Sequence, residues 1–301
     1  MALGSGCATK AVQTEAFLKS PHGLPVSQEI ESVPFINQEA GHCGPATLTM
    51  AMNWAGRPIS VNEIAPQVYT PGMKGSFQTD MISAARRQGF MAVRIEGVNA
   101  LMSEVAAGHP VIVFENLALS WAPTWHYALV FGYDLRDQTV LMHSGPEASK
   151  RWDMAKFERS WMLGDYWGLV VLPPGRLAAA ADEIAHVTAA AGLEQAQKNP
   201  EAQVSYEAIL ARWPQSLGAK IGLANLAYKE KRFSQSVEWL TKATQEHPES
   251  AAAWHNRAFA EGAAQRLQEA NRSARRALAL VPRDSRLEYE KSLEKWLVKE
   301  N

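Results

Sequence analysis

The chain has 301 residues, 47% of them hydrophobic and ten of them Trp, enough for two well-packed domains of roughly 100–200 residues each. Thirty basic against 31 acidic residues leave a net charge of −1, a balance that argues against a nucleic-acid partner and a polybasic membrane patch. No stretch approaches the roughly 20 apolar residues that a membrane-spanning helix needs.

The first 30 residues read as a tail and wrapping arm, polar and broken by Pro21, Gly23 and Pro25. Within it, Leu3-Gly4-Ser5-Gly6-Cys7-Ala8 resembles the end of a bacterial lipoprotein signal, in which the cysteine receives the lipid. The resemblance implies lipidation at Cys7 and a place in the bacterial cell envelope; Ala8 after the cysteine points to the outer membrane, with the chain facing the periplasm. Cys43 is the only other cysteine, so no disulfide framework is indicated.

Residues 31–175 read as one domain. Glu31 to Asn37 is expected to form a short edge strand, where Pro34 is tolerable. The run from Cys43 to Trp54 predicts an apolar helix ended by Gly56-Arg57-Pro58. Ser60 and Glu63 have capping-box spacing for a short helix through Val68. Thr79 to Gln88 predicts another helix, with Met81, Ile82, Ala84 and Ala85 inward and Gly89 as its C-cap. Val98 to Ala107 predicts a further helix, closed by Gly108. The period then changes to that of strands at 110–114, 125–131, 139–142 and 166–172, with Asp134 to Asp137 turning a hairpin. Helices first and an antiparallel sheet afterwards is an α+β arrangement.

Beyond Gly175 the pattern is helical and repetitive. Pro214, Pro248 and Pro282 stand 34 residues apart, twice over, which is the tetratricopeptide period. The expected units are 183–214, 217–248 and 251–282 within a domain of residues 183–301. Ala202, Ser236 and Ala270 occupy the small-residue position where paired helices cross. Trp254 stands where a repeat's first aromatic belongs, replaced by Lys220 and His186 in the other units. A capping helix is expected over 284–299, with Leu287, Leu293, Trp296 and Leu297 on its apolar stripe.

The residues that carry chemistry lie in Gln38-Glu39-Ala40-Gly41-His42-Cys43-Gly44-Pro45-Ala46 and in Trp125-His126-Tyr127. A thiol at a helix N-terminus has its thiolate favoured by the free N–H groups and the dipole. An imidazole beside it completes a cysteine nucleophile. These segments, in this order and spacing, resemble papain-like cysteine peptidases, most closely the bacteriocin-processing, double-glycine branch. The resemblance covers roughly residues 30–172. It implies Cys43 as nucleophile, His126 as base, and Gln38 with the backbone N–H of Cys43 as oxyanion donors. Gly44 would let substrate approach closely.

The family's third member, an Asp or Asn that orients the histidine, falls here on Ser144. A serine can hold the imidazole tautomer but cannot stabilise imidazolium by charge. His143 and Asp134 are the other candidates for that role. The implied function is peptide-bond cleavage, with the repeats binding a protein partner or a substrate segment. Two other readings stay open: a weak or inactive peptidase-like scaffold that binds peptides, and a thiol amidase, transglutaminase or acyltransferase. No cofactor is expected, and His42, His109, His143 and His247 lack metal-ligand spacing.

Overall fold

The computed structural model describes residues 10–20, 23–38 and 41–297. Two compact units divide between Ala196 and Gln197. Cys7 and its expected lipidation lie outside the described residues.

The first unit opens with a helix inside the expected arm, α1 (Val12–Lys19). Its free N-terminal N–H groups are satisfied from a distance: Gln13 N and Thr14 N donate to the Glu158 carboxylate at 3.0 and 2.6 Å, a negative charge where the helix dipole favours one. A short strand β1 (Ser27–Glu29) follows. The edge strand expected at 31–37 is therefore displaced toward the N-terminus. Residues 33–38 have no regular structure, in keeping with the N–H that Pro34 lacks.

Next come α2 (Cys43–Trp54) and α3 (Val61–Val68). Glu63 accepts from both N and Oγ of Ser60, at 3.0 and 2.7 Å, at the start of α3. A short hairpin pairs the two-residue strands β2 (Tyr69–Thr70) and β3 (Gly75–Ser76) across a turn at Pro71 to Lys74. Then follow α4 (Gln78–Arg87), β4 (Met91–Glu96), α5 (Val98–Ala106), β5 (Val111–Asn116), β6 (Trp125–Asp134), β7 (Thr139–Ser144), β8 (Glu147–Asp153), α6 (Met154–Trp161) and β9 (Trp167–Leu172). β4, β8 and α6 were not anticipated. β8 reads Glu-Ala-Ser-Lys-Arg-Trp-Asp and lies mostly exposed at the sheet edge, so it carries little of the apolar alternation that marks a half-buried strand.

The sheet is antiparallel throughout, in the order β4-β9-β5-β6-β7-β8, with β1 on the second half of β6. One face packs against α2, α3 and α4. Leu48, Met52, Ile64, Met81 and Ala85 meet Ile112, Tyr127, Leu129 and Leu169 there, all essentially buried. α6 approaches the other face, where Ser160 Oγ donates to Glu115 at 2.7 Å. Behind the sheet, the Glu104 and His109 side chains bond at 2.7 Å, and Arg176 Nε and Ala180 N attach the following segment to them. That segment leads into α7 (Glu183–Gln195), which packs on β4 and α4. The helix expected to open the first repeat thus belongs to the compact body of the first unit.

The second unit contains α8 (Asn199–Arg212), α9 (Leu217–Lys229), α10 (Phe233–Glu246), α11 (Ala251–Ala263), α12 (Leu267–Leu280) and α13 (Arg286–Leu293). The 34-residue period is written in the backbone. Asp182, Ser216 and Ser250 each cap a helix through the N–H three residues on. Gln197, Lys231 and Gln265 each take φ near +60° in the turn between helices. Pro214, Pro248 and Pro282 each stand two residues past a helix end. Ala202, Ser236 and Ala270 are buried.

Lys220, in the aromatic's place, is itself buried: its ammonium donates to Pro214 O at 2.7 Å and pairs with Glu246. Trp254 Nε1 makes the equivalent bond to Pro248 O at 3.0 Å, so two different side chains satisfy the same turn carbonyl. At the end of the chain Leu293 and Trp296 seat on α11 and α12, while Leu287 points to solvent, 62% exposed, against expectation. Among the described residues no helix is long and apolar enough to cross a membrane.

Candidate active site

Cys43 is the first residue of α2, where the helix leaves its leading N–H groups unbonded. Gly41, at φ +80°, turns the chain into the helix, with Lys74 O 3.1 Å from where a Cβ would sit. His42 stacks on Tyr69 at 4.8 Å. The backbone N–H groups of Tyr127, Gly44 and Cys43 itself face the sulfur. Tyr127 immediately follows His126, so the thiol lies against the start of β6. Cys43, His126 and Gln38 all line one open cavity of about 730 Å³, together with Ser76, Phe77, Phe114, Trp125 and Tyr127 among others.

The electrostatics differ from the expectation. The three N–H groups pull the thiol pKa down, but burial outweighs them and the net effect is upward. Burial, with a smaller contribution from Lys150, pushes His126 down to about 4. At neutral pH the resting pair is therefore a thiol and a neutral imidazole. A helix start can be read from a sequence, whereas the partial burial of that start against Tyr127 cannot.

His126 Nε2 lies 3.1 Å from Ser144 Oγ, and Nδ1 has no partner among the described residues. Ser144 is buried, on the neighbouring strand β7. The two alternatives for the third position are committed elsewhere. His143 pairs across the ladder with Leu129, lies 3.3 Å from Val33 O through Nε2, and accepts from Ser149 N through Nδ1. Asp134 closes the hairpin at the far end of β6, accepting from Arg136 N and Asp137 N.

Gln38 has both amide atoms buried and unpartnered among the described residues, although it borders the cavity. Gly44 departs from the role expected of it. A Cβ there would lie 2.5 Å from Ser76 Oγ and 2.7 Å from Ser76 Cβ, so the absent side chain makes room for the β2–β3 hairpin.

Sequence reasoning missed most of the wall. Phe114 stacks on Trp125 at 5.0 Å and tilts against Tyr127 at 4.7 Å, while Tyr127 Oη donates to Ser76 O at 3.1 Å. Period-two spacing of Trp125 and Tyr127, with Phe114 on the preceding strand, was the available signal. Leu117, Leu119 and Trp121 stand exposed on the loop between β5 and β6. Asn116 Oδ1 holds that loop through Ala118 N and Thr124 N. Among the described residues no cluster of His, Cys, Asp and Glu could hold a metal ion.

Residues 30–165 match the family described as Peptidase_C39 like, and residues 193–258 match a tetratricopeptide repeat. The N-terminal domain is C39-like. Solved structures that resemble the chain include one described as a C39-like peptidase from Bacillus anthracis, 18% identical, covering 48% of this chain and 97% of that one, with a TM-score of 0.43. The peptidase domain of Streptococcus ComA, a bifunctional ABC transporter involved in quorum sensing, is also 18% identical, covering 47% and 98%, with a TM-score of 0.39. A double-glycine-motif protease from an AMS/PCAT transporter, solved with its leader peptide, is 19% identical, covering 48% and 96%, with a TM-score of 0.36. A search of curated proteins finds no match. The chain thus joins a C39-like domain to tetratricopeptide repeats.

Proposed function

We propose that the protein is a cysteine peptidase in which Cys43 attacks a peptide carbonyl and His126 carries the proton. The observation that supports this best is the thiol against the backbone of Tyr127, with the His126 ring anchored at Nε2 by Ser144 and facing the same cavity. Because both groups rest neutral, the proton leaves Sγ for Nδ1 as sulfur attacks, and the imidazolium then protonates the departing amine. Gln38, whose amide has no partner among the described residues, and the Cys43 N–H would receive the developing oxyanion.

The Phe114–Trp125 wall and the exposed apolar loop beside it suit a substrate with hydrophobic side chains near the scissile bond. In this reading the repeats hold a protein partner or a substrate segment, and a lipid on Cys7 anchors the chain in the bacterial envelope. Incubation with a peptide library followed by mass analysis tests the chemistry. Cleavage products from the native chain, absent with Cys43→Ala and retained with Cys7→Ala, are expected. Amide or acyl-transfer products without cleavage would replace this reading with a thiol amidase or acyltransferase.

A further inference from the structure

Glu115, on β5, is completely buried, and the mechanism above leaves it idle. It stands directly opposite His126 in the β5–β6 register, so the two side chains leave the same face of the sheet with Cβ atoms about 5 Å apart. Glu115 Oε2 accepts from Ser160 Oγ, while Oε1 has no partner among the described residues. Buried polar atoms are nearly always bonded, so an orphan beside a proposed base asks for an explanation. Lys150 of β8 acts electrostatically on both Glu115 and His126, while neither of these two shifts the other's resting ionisation; it is the strand register that sets them side by side.

We propose that Glu115 is an anionic positioning residue for His126, supplying from the adjacent strand the negative charge that Ser144 lacks. The inference rests on reading His126 as the base. In the attack step the S–H bond breaks, its electron pair forms the bond to the carbonyl carbon, and its proton passes to Nδ1. The resulting imidazolium has the Ser144 hydroxyl at Nε2 and Glu115 as its cross-strand neighbour. Glu115 exchanges no proton in that step; its charge lowers the energy of the cation.

The active form therefore has Glu115 ionised. Burial holds its carboxyl up at about 7, opposed by the Ser160 hydrogen bond and by Lys150. The groups facing it are His126 on β6, Ser160 on α6 and Lys150 on β8. Elsewhere on α6, Lys156 is exposed and Glu158 is bound to α1, and Arg159 does not contribute to its ionisation.

Glu115→Gln keeps the size and the acceptor for Ser160 while removing the charge. It is expected to lower kcat about ten- to hundredfold, the effect of an opposite charge at this separation. KM should stay as in the native chain, the melting temperature above pH 7 should rise because a buried charge is gone, and the rise of kcat across about pH 6 to 8 should disappear. Ser160→Ala keeps the charge and should move that rise to higher pH. Ring-proton titration of His126 by NMR needs no turnover. The native chain should show a step near pH 7 shared with Glu115, and Glu115→Gln should lack it.

A native ring without that step, or a Glu115→Gln kcat within twofold of native, overturns the proposal. A native chain that cleaves no peptide would sink the peptidase reading alone, since the ring titration still decides on Glu115.

Discussion

Replacing Ser144 by aspartate puts a charge where the structure has a hydroxyl, 3.1 Å from His126 Nε2. An anion within roughly 4–6 Å raises an imidazole pKa by about 1–3, and each step of one is worth about 1.4 kcal/mol. Starting from about 4, the ring of Ser144→Asp should titrate somewhere between roughly 5 and 7. The new carboxylate would lie in a nearly closed position, 4% exposed at Ser144, so part of the gain is lost to its own desolvation. A more basic ring takes the thiol proton more readily, and alkylation of Cys43 at pH 7 should quicken about tenfold or more. Ser144→Asn, similar in size and uncharged, controls for packing. The assays are NMR titration of the ring and the rate of reaction with a thiol electrophile against pH. A ring pKa that stays near 4 in Ser144→Asp, with unchanged alkylation, would refute the claim that a charge at position 144 acts on the His126 ring.

Gln38→Ala should lower turnover by about 10²–10³ while leaving Cys43 alkylation intact; unchanged turnover rejects its oxyanion role. His126→Ala should abolish turnover and also alter how stability depends on pH. The native ring titrates below its ordinary 6.5, so it costs stability as pH falls from about 6.5 to 4. Glu115 titrates above its ordinary 4.5, at about 7, so it adds stability as pH falls through the window from about 7 to 4.5. Each effect amounts to about 3 kcal/mol, and they oppose. Without His126 the chain should become more resistant to denaturant at pH 5 than at pH 7.5; equal midpoints would refute the pairing of these effects. Gly222→Ala would set a methyl carbon 2.2 Å from the Tyr206 ring, costing about 1–3 kcal/mol by overpacking, visible as an earlier melting transition of the repeats in circular dichroism. A native-like melt would mean that the α8–α9 contact yields more easily than its geometry implies.

The helices announced themselves through stops and starts of known chemistry. Gly56-Arg57-Pro58 ends α2, Ser60 opens α3, and Gly89 and Gly108 take φ above +80° or near it where α4 and α5 finish. The repeats were legible because a period survives substitution, even where Lys220 stands for an aromatic. β4 and β8 were hidden for different reasons: one adjoins a helix with no Pro or Asn turn between, the other is polar because it lies at an edge. At the site, sequence order brought Cys43, His126 and Ser144 to attention. The standing of Glu115 opposite His126 depends on a strand register that no linear pattern displays, and burial reversed the expected direction of the Cys43 ionisation.

β6 places Trp125, His126 and Tyr127 consecutively at one mouth, and its later residues fill the core beneath α2. A slip by a single residue would trade imidazole for indole or phenol, and would also turn Leu129 toward the wrong side. Misassembly that ruins the chemistry therefore also ruins the packing. Under the proposed mechanism, a molecule well folded along this strand also presents its imidazole at the cavity.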